Sequence, residues 1–337
     1  MRPLTLLMSA LLLVSQSALA FEQQDLMKVF FSVVLVRGYD DAGGLAYGTG
    51  VVVSDHQVVT NCHVLRRTRQ AWVSQAESIY KIESVQADPK HDLCLLNTEK
   101  LALRPVEIGS TAALNKGDEV FSLGHSSGSL SPTTSGGQVK SLYPYDNGLV
   151  VRTNARFTLG ASGSPLFDAV GRLIGINTFK TPGRVAFFYA VPVEWLKDIE
   201  KIPAETKLPI SGQAFWEFTD EEKPFFMQVA LPHLNEDWAK LQEVSQRWIK
   251  AEPDNAEAWY ELGSAQEGLG KADDALASYR KVVSILPSHS EALFHLGVFA
   301  SQRGDRDEMH KVSLILAKVD QMMAEEFNKK VGCEKEC

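Results

Sequence analysis

The chain has 337 residues, 45% hydrophobic and 23% charged, enough to bury more than one core and too apolar for a fibrous or globally disordered protein. A formal net charge of −8 argues against nucleic acid as a partner, because phosphate binding needs clustered Lys and Arg. The acidity concentrates late, with 13 basic against 19 acidic residues from position 233 onward.

In chain order, residues 1–20 carry Arg2, an apolar run from Leu6 to Val14 and the small-x-small ending Ala18-Leu19-Ala20. This is the pattern of a signal peptide cleaved before Phe21, and its run is too short for a bilayer core of about 30 Å. The mature chain is therefore expected to be periplasmic or secreted, with no stable membrane span after cleavage. Residues 21–203 show short β-rich runs broken by Gly, Asn, Asp, Ser and Pro: Phe30–Val36, Gly50–Val53, Gln57–Thr60, Leu93–Leu96, Glu119–Leu123, Leu149–Arg152 and Leu173–Asn177. Many short strands predict an all-β barrel or sandwich. Residues 193–201 read as a closing helix, and residues 204–235, with Pro209, Gly212 and Pro224, as a linker.

From about residue 236 to 322 the period becomes helical and repeats every 34 residues. Leu262, Gly263, Gly270 and Pro287 form one unit, and Leu296, Gly297 and Gly304 fall in the next. The segment resembles a tetratricopeptide array of about two and a half repeats, an all-α domain. Residues 323–337 form a tail with Cys333 and Cys337.

Peptide hydrolysis by serine needs a hydroxyl nucleophile, an imidazole to take its proton, a carboxylate to hold the imidazole, and donors for the developing oxyanion. Ser162 lies in Leu159-Gly160-Ala161-Ser162-Gly163-Ser164-Pro165, where glycines permit a sharp turn. The N–H groups of Gly160 and Ser162 are the expected oxyanion donors. His63 follows an apolar run in Thr60-Asn61-Cys62-His63, and Asp92 opens another in His91-Asp92-Leu93-Cys94. No metal or organic cofactor is expected for this chemistry. His91 and His125 read as loop residues.

With these motifs, and with Gly48-Thr49-Gly50, Phe121-Ser122-Leu123-Gly124-His125 and Gly136-Gly137-Gln138-Val139, residues 48–196 resemble the trypsin-like peptidases, especially their bacterial HtrA-type branch. The resemblance implies a chymotrypsin-like double barrel with the triad His63, Asp92 and Ser162 in the cleft, as general base, orienting carboxylate and nucleophile. It also implies a specificity pocket near Thr158, Leu159, Thr178, Phe179, Phe187 and Phe188. That pocket has no acidic residue at its base and is narrowed by Phe187 or Phe188, which predicts small or medium apolar side chains on the acyl side of the cut. Ala161 stands where zymogen-type relatives carry an activating aspartate, Ser164 replaces a more common glycine, and no PDZ domain follows.

The expectation is an exported serine endopeptidase acting on protein or peptide substrates, its repeats recruiting a protein partner or substrate or else capping the protease. The alternative is a latent protease-fold scaffold whose repeats do the binding. Among Cys62, Cys94, Cys333 and Cys337, spacing leaves all three pairings open and buried thiols remain a competing reading. A local Cys333–Cys337 bond is expected, and Cys62 and Cys94 flank residues that must approach each other. A thiol-active protein is disfavoured because Cys62 is expected to face away from His63 along its strand.

Overall fold

A computed structural model describes residues 23–333; the leader expected over residues 1–20, and Cys337, lie outside the described residues. A short helix, α1 (Gln23–Phe30), leads into two closed six-stranded antiparallel barrels. The first comprises β1 (Val33–Tyr39), β2 (Leu45–Ser54), β3 (Gln57–Thr60), β4 (Gln70–Gln75), β5 (Ser78–Asp88) and β6 (Leu93–Thr98), in the order β1-β2-β3-β6-β5-β4. The second comprises β7 (Glu119–Gly124), β8 (Thr133–Tyr145), β9 (Gly148–Thr153), β10 (Pro165–Asp168), β11 (Leu173–Lys180) and β12 (Phe188–Pro192), in the order β10-β11-β12-β9-β8-β7.

Side chains alternate across each strand, and here both faces find apolar cover. Val34, Val36, Val52, Val58, Val73, Val85 and Leu96 share one core. Val120, Val139, Val151, Leu166, Ile174 and Ala190 form another. Intervening positions such as Val33, Val51, Val59, Phe121, Leu123, Leu173 and Ile176 join a third, larger core. Double-sided burial is why the sequence shows continuous apolar runs instead of strict alternation. One boundary differs from expectation: Phe30 ends α1 and the strand begins at Val33. Leu26, Val29 and Phe30 pack on the large core at helical spacing, so the local apolar run belongs to two elements.

The expected closing helix is present as a 3-10 turn, Val193–Trp195, followed by α2 (Leu196–Ile199). The stretch read as a linker is packed against the barrels. Glu205 bridges to Val85, the Phe215 N–H donates to the Lys90 carbonyl at 2.9 Å, and Ala214 and Phe215 are fully buried. Its prolines and glycine mark turns in a strap. Then come α3 (Phe225–Gln228), α4 (Ala230–Leu234), α5 (Trp238–Ala251), α6 (Ala256–Gly268), α7 (Ala272–Ile285), α8 (Ser290–Arg303), α9 (Arg306–Val319) and α10 (Gln321–Val331). Helices α5, α7 and α9 start 34 residues apart, as do α6 and α8. Asp237, Asn255 and Asp305 cap three of them by accepting first-turn N–H groups.

Barrels and helices share the large core, which runs from Val29 through Tyr143 and Tyr189 to Phe226, Val244, Trp248 and Ala265. Tyr143 stacks on Phe226 with centroids 4.6 Å apart. Beside it, buried Lys116 pairs with Glu257 at 3.0 Å and Glu291 at 2.9 Å, and the Ser141 hydroxyl donates to Glu257 at 3.2 Å. Burial alone would depress the Lys116 pKa, but the two carboxylates outweigh it and hold the ammonium above its ordinary value.

Candidate active site

The turn between β5 and β6 carries Asp92 in the left-handed region, at φ 58°, which aspartate tolerates better than most residues. Its carboxylate is fully buried. Oδ1 accepts the His63 backbone N–H at 2.8 Å, and Oδ2 lies 2.6 Å from His63 Nδ1. The carboxylate therefore holds the ring with Nδ1–H as donor and leaves Nε2 free to take a proton. Asn61 fixes the turn from below, donating to the Asp92 carbonyl and to Thr178 Oγ1, each at 2.9 Å.

His63 sits in a 3-10 turn, Cys62–Val64, beyond the end of β3. Cys62 is thus in that turn and not in the strand expected for it. It is bonded to Cys94, with Cα atoms 4.9 Å apart, which ties the residue before the histidine to the strand after the aspartate. A disulfide here removes the thiol nucleophile outright. Cys333 is disulfide-bonded as well.

Ser162 lies on the second barrel, partly buried, in the turn before β10. Its carbonyl accepts the Thr49 N–H at 2.8 Å. Gly163, at φ 83°, packs so closely that a Cβ there would come 2.2 Å from the Thr49 carbonyl and 2.4 Å from Thr60 Oγ1. These contacts seat the serine turn against the residues flanking His63. Among the described residues the Ser162 hydroxyl makes no hydrogen bond, so its bond to His63 is not closed in this structure.

Gly160, at φ 91°, has no room for a side chain, since a Cβ would meet the His125 carbonyl and the Tyr47 ring at 2.7 Å. The Leu159 carbonyl is held by the Ser127 N–H at 2.6 Å, and the Ala161 carbonyl by the Ser164 N–H at 2.9 Å. In a trans peptide the N–H opposes the carbonyl, so the N–H groups of Gly160 and Ser162 point away from those anchors. Among the described residues neither is spent on another acceptor. Two free, rigidly aimed donors beside a serine suit a developing oxyanion.

Of the expected specificity residues, Thr158 and Leu159 are exposed at the turn and Thr178 is buried beside Asn61. Phe179 stacks on Tyr189, with centroids 4.7 Å apart. Phe188 packs on Phe157 at 5.2 Å, next to the turn. Phe187 instead sits under the Arg152 guanidinium at 4.5 Å and near His233 of α4, so it belongs to the barrel–helix junction. His91 is held between Asp88 at 2.6 Å and Asp146 at 3.1 Å. His125 is buried, and burial lowers its pKa. Neither reaches the His63–Asp92 pair.

One contributor escaped the motifs. Trp216, in the strap, donates its indole N–H to Asp92 Oδ2 at 3.1 Å and sets its ring edge-on to His63, 5.7 Å between centroids. Its neighbour Glu217 pairs with Arg66, which itself stands 4.0 Å from Asp92 Oδ1. The cluster Phe215-Trp216-Glu217-Phe218 was the available signal, being too aromatic for a solvated connector.

Two closed barrels, with a carboxylate-held histidine on the first and a glycine-turned serine on the second, define a chymotrypsin-like double-barrel peptidase fold. Residues 48–176 match the family described as Trypsin-like peptidase domain, and that stretch is such a domain. Over 281 residues the chain is 26% identical to serine protease HTRA1 of Xenopus laevis, spanning 78% of this chain and 58% of that protein. It is 34% identical over 143 residues to the magnetosome formation protease MamE of Magnetospirillum gryphiswaldense, covering 39% of this chain and 18% of that one. A probable periplasmic serine endoprotease, DegP-like, of Bartonella henselae is 30% identical over 166 residues, 46% and 33% of the two chains. The chain thus spans between 18% and 58% of these relatives' lengths. Among solved structures, a serine endoprotease from Yersinia pestis aligns with TM-score 0.48 at 25% identity, over 54% of this chain and 65% of that one.

Proposed function

We propose that this chain is a serine endopeptidase that cleaves protein or peptide substrates through an acyl-enzyme, with Ser162 as nucleophile, His63 as general base and Asp92 as its orienting carboxylate. The observation that carries the reading is the half-buried His63 hydrogen-bonded to the buried Asp92, beside a serine turn whose Gly160 and Ser162 N–H groups are unspent among the described residues. The unclosed Ser162–His63 bond fits an enzyme at rest, since such bonds tighten when substrate binds. It is also what a latent scaffold would show. Phe157 and Phe188 support an uncharged pocket taking small or medium apolar side chains.

The apolar leader-like run at residues 6–14 and the periplasmic name of the Bartonella relative support a periplasmic or secreted location. Among the described residues no helix is long and apolar enough to cross a membrane. The 34-residue spacing of the helices supports a tetratricopeptide module that holds a protein partner or substrate. The deciding experiment is labelling of the purified protein with a fluorophosphonate probe beside a Ser162→Ala control. Labelling confined to the unaltered chain supports the enzyme; no labelling, or labelling unaffected by the substitution, leaves the scaffold.

A further inference from the structure

Asp92 takes one of its three side-chain hydrogen bonds from outside both barrels. Trp216 is 124 residues further along the chain and reaches Asp92 because the strap folds back over the turn that carries it. The clasp has several points. The Phe215 N–H donates to the Lys90 carbonyl, and Gly212 lies so close to Pro89 that a Cβ there would come within 2.5 Å of the proline. Glu217 accepts the Ala214 N–H at 2.9 Å and pairs with Arg66, which stiffens the bend holding the indole. The Trp216 ring is stacked on Phe179, with centroids 5.8 Å apart and planes 17° from parallel.

A carboxylate with no exposed surface must satisfy its lone pairs within the protein. Oδ1 receives the His63 backbone N–H, while Oδ2 receives both the imidazole and the indole. The indole therefore shares the oxygen that orients the general base, and it arrives only when the strap is docked.

We propose that Trp216 is a positioning residue for the reaction, fixing Asp92 through its indole N–H, so that docking of the segment beyond the barrels raises catalytic competence. The proposal rests on the serine-peptidase reading above. Without the indole, Oδ2 presents more uncompensated charge to His63, which favours the protonated ring, and the carboxylate loses one restraint on its orientation.

The test is the rate of fluorophosphonate labelling of the full-length chain as a function of pH, for the unaltered protein, Ser162→Ala and Trp216→Phe. Phenylalanine keeps an aromatic ring and removes the donor. The expected result is a fall of about tenfold or more, the scale of one hydrogen bond to a charged group, with the acid limb displaced to higher pH. A ring that only fills space would leave the acid limb in place. Unchanged rate and acid limb in a folded Trp216→Phe overturn the positioning role alone, whereas an unreactive parent chain overturns the serine-peptidase reading and this proposal with it. Should Trp216→Phe not fold, NMR exchange of the Trp216 indole proton in the unaltered chain decides. Protection that changes when Ser162 is phosphonylated supports the proposal, and exchange as fast as an exposed indole overturns it.

Discussion

Asp92 and Gly160 occupy backbone conformations that most residues avoid, and each stands where the proposed chemistry needs it. For Gly160 the requirement is steric as well as conformational, so Gly160→Ala should turn its N–H out of place. We expect at least a hundredfold loss of activity with the circular dichroism spectrum retained, measured by probe labelling and peptide cleavage. If Gly160→Ala labels normally, the oxyanion assignment fails. Ser162→Ala, His63→Ala and Asp92→Asn should each lose activity by several orders of magnitude, and combining them should add little, because the three act as a unit. Additive losses in the double variants would mean that the residues work separately.

The turn bearing Asp92 and the short helix α4 each carry a histidine whose charged form is favoured by neighbouring carboxylates. Burial disfavours the imidazolium of His91, but Asp88 and then Asp146 outweigh it and raise its pKa; for His233 the same balance is struck by burial against Glu261. A raised folded pKa gives stability that is complete below the ordinary value of about 6.5 and lost as pH rises through the folded value. The melting temperature should therefore fall as pH rises above about 6.5, and the fall should shrink in His91→Gln with His233→Gln. An unchanged slope in that double variant would dismiss these pairs as a source of stability. Removing the Cys62–Cys94 bond by Cys62→Ala with Cys94→Ala should cost about 2–4 kcal/mol in denaturant unfolding. Much of this architecture was legible beforehand. The strand Gln57–Thr60 and the helix following Asp237 fall where their patterns place them, because burial there imposes a clear period. By contrast β4 and β5, with their polar exposed positions, and the brief β10 offered too little pattern. Composition also concealed the strap, since Pro209, Gly212 and Pro224 look alike in a connector and in a packed chain that turns often.

The core joining barrels to helices makes the C-terminal region a poor candidate for an appended, separable module. Deleting residues 233–337 would strip Leu241, Val244 and Trp248 from the core they share with Tyr143 and Phe226, and would remove Glu257 and Glu291 from Lys116. The melting temperature of the remainder should drop steeply, and Trp248→Ala alone should cost about 3–5 kcal/mol. A truncated chain that melts like the parent would show that the helices are an independent unit. The Trp216–Asp92 hydrogen bond also gives the order of synthesis a meaning. A ribosome completes His63, Asp92 and Ser162 before it reaches Trp216, so under the proposed roles a nascent chain holds all three side chains while still lacking the indole donor to Asp92. On those roles, full alignment of Asp92 waits until about two thirds of the chain, residue 216 of 337, has been made.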